Sequence, residues 1–477
     1  MRRFAFFALG VGLCAWVPTD AHARPVAPQA FCEFYGGSPW CAGQAVGCEM
    51  CHTSTGPAAW NTYGEAVRAE LPAGLDNEAF IAELPTALAA IENDDLDGDG
   101  FDNLDEINGG SLPFDEASTP GDLACPEDVS ELAYPICQYS RRHVFRKVHL
   151  DFCGVSPDYD ELLTFMQLSE ADQDAALHAA LDTCLQTEFW RGKNGFVWKM
   201  AHDKIRPVGA LKAGEDEVPE VVDLADYYND YNLFVWSHID GHDVRSLLTA
   251  DFHVERDTSP TTYTQVQDVT PACGACSEPM QIDRRAGMIT TRWFTGYFIM
   301  FTPLPRAAAA QAYRAYLGHD IAKSEGLDHP IDGEPVDYDD KGVDAETCAV
   351  CHSTLDPLTY AFRNYNGITG DRHQYQPNRL YENWPDDPTD LHDTPEAGYI
   401  LGQPYDDLNQ WAQIAADSDD FVIAIVEDYW RRLIGRAPLP TESAEFEALW
   451  TSLAGEHAYS VEAMLHDFIM TEAYGAP

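Results

Sequence analysis

The sequence predicts a mainly α fold, and three observations lead there. Near the C-terminus Val422, Ile425, Val426, Tyr429, Trp430 and Leu433 share one helical face before Gly435. Val461, Met464, Leu465, Phe468 and Ile469 repeat that spacing. Further upstream, Glu170–Leu185 mixes Ala and Leu with polar residues at helical spacing, and 306–321 is Ala-rich.

Taken in order, the chain opens on Arg2 and Arg3, an apolar run over 4–17, and the small-x-small triplet Ala21-His22-Ala23. That pattern predicts a signal peptide over 1–23 and a periplasmic or extracellular destination. No other segment approaches the 18 uninterrupted apolar residues of a membrane span, so a soluble exported protein is expected. A first module with an acidic loop is expected over 24–120 and a helical middle domain over 121–270, where Trp190 and Trp198 would help to fill a core. A bridging region follows over 271–342, with the acidic loop 332–340, and then a C-terminal domain over 343–477. Within that domain 365–405, rich in Pro, Gly, Asn and Asp, reads as an ordered loop held by helices. Over 77–91, Phe80, Ile81, Leu84, Leu88 and Ile91 have helical spacing; Pro85 makes a kink or two short helices as compatible as one straight helix.

The 477 residues carry 29 Lys+Arg against 79 Asp+Glu, a formal charge of −50, and 45% are hydrophobic, which is a globular composition. Such a surface repels phosphate, which excludes sequence-general binding to nucleic acid and disfavours anionic membranes. Cations and basic partners remain open. Residues 69–140 contain no Lys or Arg at all.

Thirteen cysteines are present, and Cys14 leaves with the signal. Four of the rest stand in two copies of Cys-x-x-Cys-His: Cys48-Glu49-Met50-Cys51-His52 and Cys348-Ala349-Val350-Cys351-His352. This is the spacing of c-type haem attachment. Two thiols add to the vinyl groups of one haem, and the next residue supplies an imidazole as proximal iron ligand. Zinc would need a second ligand pair, and a redox dithiol does not require the His. Two covalent haems are expected, with His52 and His352 on iron.

The other eight cysteines form an even set in an exported chain, which suggests four disulfides, although eight allow 105 pairings. Proximity favours Cys32–Cys41, Cys125–Cys137, Cys153–Cys184 and Cys273–Cys276. Ser277, not His, follows Cys276, so this is no third haem motif; a structural loop and a redox dithiol both stay open.

Inside the acidic block, 95–106 fits the twelve-residue EF-hand template at every ligand position. Asp95, Asp97 and Asp99 offer side-chain oxygens, Phe101 its backbone carbonyl, Asn103 an oxygen or a water contact, and Glu106 a bidentate carboxylate. Gly100 permits the sharp turn. One calcium ion is expected, and Gly109-Gly110 makes a second full helix after the loop doubtful.

Distal haem ligands are less legible. Between His52 and His143 there is no His or Met, and Ser353 to Ala463 has no Met but contains His373, His392 and His457. Met300 and Met288 are candidate distal ligands for the second haem, with ordinary core methionines as the alternative.

Several of these residues also carry a family resemblance. Cys348-Ala349-Val350-Cys351-His352, then Asp356-Pro357 and Asn364-Tyr365-Asn366-Gly367, resembles the cytochrome-c-like domain proteins common in planctomycetes and myxobacteria. Leu433-Ile434-Gly435-Arg436, Arg285-Ala286-Gly287-Met288 and Leu247-Leu248-Thr249-Ala250-Asp251 look like other parts of the same proteins, so the likeness spans about 140–477. The first module resembles small exported cytochrome-like modules that join Cys-x-x-Cys-His to Asn61-Thr62-Tyr63-Gly64 and an Asp-x-Asp-Gly-Asp-Gly loop. The resemblance implies a mainly α fold with a cytochrome-c-like module at each end, haem binding and extracytoplasmic electron transfer with a redox protein partner. A basic partner would fit the acidic surface. A di-haem peroxidase or other haem oxidoreductase is the alternative, and a surface-assembly protein with structural haem is a third reading.

Overall fold

Side-chain caps start many of the helices: Ser169, Ser418 and Ser460 each accept a hydrogen bond from the backbone N–H three residues on, and Asp407 does the same. The structure, a computed structural model, describes residues 26–36, 38–41, 46–47, 50–53, 60–116, 118, 139–215, 222–258, 261–267, 274–321, 329–439 and 442–476. The fold is mainly helical. Among the described residues, strands are confined to two antiparallel hairpins. The first pairs β1 (His253–Thr258) with β2 (Thr261–Val266), His253 opposite Val266. The second pairs β3 (Gly398–Ile400) with β4 (Gln403–Tyr405), Gly398 opposite Tyr405.

Apolar burial gathers into two main clusters. One takes Phe31, Tyr63, Leu84, Leu88 and Ile107 from four N-terminal helices: α1 (Ala27–Phe34), α2 (Thr62–Glu70), α3 (Asn77–Ala90) and α4 (Asn103–Gly109). The other runs through the chain from Val144 to Tyr474 and includes Trp190 and Trp198, both buried. The two clusters share no residue, and a third, small one joins Leu304, Leu380 and Leu391.

The expected helices form, with informative adjustments. Glu170–Leu185, Asp419–Leu433 and Val461–Phe468 are all helical. The Ala-rich helix stops at Leu317, short of residue 321, because Gly318 turns left-handed at φ 75°. α3 runs unbroken through Pro85. The carbonyl this proline leaves without an N–H belongs to Ile81, which is exposed, so solvent can satisfy it. After the acidic loop a seven-residue helix, α4, does form and ends where Gly110 takes φ 78°. Segment 365–405 contains the Arg379–Asn383 helix and β3–β4 besides loops.

Disulfides join Cys32 to Cys41 and Cys153 to Cys184, two of the pairs proximity favours, and Cys276 is disulfide-bonded. Cys125, Cys137, Cys273 and the leader 1–23 lie outside the described residues. No helix among the described residues is long and apolar enough to cross a membrane.

Candidate functional site

The first attachment segment is described from Met50; Cys48 lies outside the described residues. Met50 is buried and Cys51 half-buried against the N-terminal core. The His52 backbone pairs with Trp60, and their rings lie 4.2 Å apart. His52 Nδ1 is buried with no hydrogen-bond partner among the described residues. A buried polar nitrogen without a partner is costly; a metal on Nδ1 itself would offset that cost, and one on Nε2 would not.

Asn61 fixes the segment. Its backbone N–H donates to the Cys51 carbonyl at 3.1 Å and its Nδ2 to the Met50 carbonyl at 3.0 Å. Its Oδ1 accepts from Gly64 N at 2.7 Å, which caps α2. Gly64 then lets the α2 backbone rest against Cys51, since a Cβ there would stand 2.0 Å from the Cys51 carbonyl oxygen. Asn61-Thr62-Tyr63-Gly64 is thus the clamp on the first Cys-His segment.

The acidic loop brings three of its six predicted residues together, Asp95, Asp97 and Asp99. Carboxylate oxygens of Asp95, Asp97 and Asp99 lie within 4.8 Å of one another. Asp95 accepts from Gly98 N at 2.7 Å and Gly100 N at 3.1 Å, Asp97 from Asp99 N at 3.2 Å, and Asp99 from Phe101 N at 2.8 Å. Gly98 and Gly100 take φ of 87° and 102°, conformations that disfavour a side chain. Asn103, at the start of α4, donates from Nδ2 to the Ile91 carbonyl at 2.6 Å, while its buried Oδ1 has no partner among the described residues. Glu106 is fully buried, and neither carboxylate oxygen has a partner there. Burial, then the charges of Asp97, Asp99 and Asp95, pushes its carboxyl up to about 8. Buried near these three charges, the Glu106 carboxyl takes a proton more readily than an ordinary one, and a cation would instead favour its charged form. An all-oxygen donor set suits a hard divalent ion such as calcium. Phe101 itself is exposed as a side chain.

The second motif lies on the Glu346–Thr359 helix. Cys348, Cys351 and His352 occupy positions i, i+3 and i+4 and so share one helical face. Cys348 is exposed and Cys351 half-buried. His352 Nδ1 meets Asp356 Oδ1 at 2.7 Å, one turn on. Asp356, 1% exposed, also accepts both Nε and Nη2 of Arg306 at 2.8 Å. The same guanidinium reaches Asp339 through Nη1 at 2.8 Å and Nη2 at 3.0 Å. Burial works against the Asp356 charge, but hydrogen bonds from Arg306 and His352 prevail and hold its carboxyl below the usual range. With Nδ1 engaged, Nε2 is the His352 nitrogen left for a metal.

The candidate distal ligands separate. Met288 is 2% exposed and belongs to the large core. Met300 is 40% exposed at φ 53°, with its carbonyl accepting from Ile368 N at 2.7 Å. His373 is buried, its Nδ1 3.2 Å from Thr295 Oγ1. His392 Nε2 lies 2.9 Å from the Trp384 carbonyl, and His457 Nε2 2.6 Å from Asp467.

Sequence reading missed Arg306 and Asp339 and gave Asp356 no role. The signal for Asp356 was its placement four residues after His352, one helical turn; nothing in the sequence marks the other two as its partners.

No protein-family model matches the chain, and no curated protein or solved structure is detectably similar to it.

Proposed function

We propose that the chain is a haem protein of the c type, with a cytochrome-c-like module at each end. More specifically, we read it as an exported di-haem cytochrome that passes electrons to and from a redox partner, with one calcium ion bracing the first module. The observation that carries this reading is the face of the Glu346–Thr359 helix on which Cys348, Cys351 and His352 stand together, the imidazole held through Nδ1 by buried Asp356. Supporting it are the clamp on Met50 and Cys51 and the buried Glu106 carboxyl near Asp95, Asp97 and Asp99.

When bound, haem supplies a reversible one-electron iron centre. The chain's own residues do the rest. Cys48, Cys51, Cys348 and Cys351 would hold the groups covalently, and His52 and His352 would ligate iron. Asp95, Asp97, Asp99, Phe101, Asn103 and Glu106 would hold calcium, which fixes α3 against α4. The acidic surface would steer a basic partner.

The test is covalent haem per chain, with absorption spectra in both redox states. Two low-spin haems that reduce reversibly support electron transfer; a chain without covalent haem ends the reading. A haem oxidoreductase is the second reading, favoured by the lack of Met or His between residues 52 and 143 and by the burial of Met288 in the core. Binding of carbon monoxide to the reduced protein would select it.

A further inference from the structure

We infer that Asp356 is a positioning residue that sets the reduction potential of the second haem through His352, and that Arg306 tunes how strongly it does so. The inference rests on the two-haem reading above. His352 Nδ1 and Asp356 Oδ1 are 2.7 Å apart on successive turns of one helix. A ligating imidazole that donates its second N–H to a carboxylate becomes a more basic ligand, and that stabilises the oxidised metal.

The carboxylate is not free to move. Asp356 is 1% exposed and gripped by the Arg306 fork, and Arg306 is itself shared with Asp339, whose side chain is 8% exposed. Two carboxylates thus compete for one guanidinium, while a third contact, the imidazole, draws on Asp356 alone. Oδ1 of Asp356 accepts from both Arg306 Nε and His352. Each hydrogen bond Arg306 makes there withdraws charge from the oxygen that faces His352. Weakening the fork therefore strengthens the pull on the imidazole, and removing the carboxylate abolishes it. The two changes move the potential in opposite directions, which a purely structural ion pair would not do.

The experiment is potentiometric titration of the haem-loaded full chain with Asp356→Asn and Arg306→Lys variants. Wild type should show two covalent haems; if it does not, the two-haem reading fails before the variants are considered. Asp356→Asn should raise one of the two potentials by about 59 mV, a tenfold change in the oxidised-to-reduced ratio for one electron. Arg306→Lys keeps the charge but loses the fork, and should lower that same potential. The other wave should stay in place. An unmoved potential in Asp356→Asn, a shift of both waves, or variants that move the same way would overturn the inference. If Asp356→Asn does not yield folded protein, Arg306→Lys decides alone: a fall supports the inference, and a rise or no change overturns it.

Discussion

Gly64 and Cys51 meet backbone to backbone: a Cβ on Gly64 would stand 2.0 Å from the Cys51 carbonyl oxygen and 2.8 Å from its carbonyl carbon. The neighbour is main chain held by Asn61, so it cannot swing aside as a side-chain tip could. Gly64→Ala should therefore cost about 1–3 kcal/mol, the usual range for overpacking, despite the better helix propensity of alanine. Scanning calorimetry of the full chain checks this. A variant as stable as wild type would show that α2 and the attachment segment are not in this contact.

Calcium and pH should act on one carboxylate. Without a cation the Glu106 carboxyl is pushed from 4.5 up to about 8, first by burial and then by Asp97, Asp99 and Asp95. A carboxyl whose folded pKa is raised contributes stability below about 4.5, and that contribution is lost as pH rises through about 8. In chelator, wild type should thus fall progressively below Glu106→Gln in melting temperature across that window. Saturating calcium should reverse the order at pH 8. Parallel curves for the two proteins in chelator would refute the placement of Glu106.

What the sequence discloses depends on whether the interacting groups are neighbours along it. Asp95 to Glu106 is legible because the ligands of one loop are contiguous, and α4 is short because Gly110 follows it at once. The helix ending at Leu433 is legible because its apolar residues all fall on one side. β1–β2 is not: among the described residues of the two strands only Val254 and Thr261 are buried, so the strands show little hydrophobic alternation. Asp339, Arg306 and Asp356 come from three segments, and their meeting depends on the packing of two helices and a loop. Gly64 reads as a weak point in a helix until Cys51 lies against it.

On the two-haem proposal, Met288→Leu should leave the haem spectrum unchanged in both redox states. The side chain is 2% exposed in the main core, on the turn Gly287–Thr290. Leu and Met have similar volumes, so the swap should cost less than about 1.5 kcal/mol. Loss of a low-spin spectrum would instead identify Met288 as an iron ligand.

The formal charge of −50 makes a further prediction about rate. Like charges on two proteins slow their encounter and opposite charges hasten it, by amounts that fall as ions screen the field. The Debye length shrinks from about 10 Å at 0.1 M salt to about 3 Å at 1 M. On the electron-transfer proposal, exchange with a basic small cytochrome should therefore be fast at low salt and slow steeply as salt is added. Exchange with an acidic cytochrome of similar potential should be slow at first and quicken. Stopped-flow reduction of each partner over a salt series separates the cases. If both partners respond to salt alike, the carboxylates do not shape the docking face, and the acidity serves solvation alone.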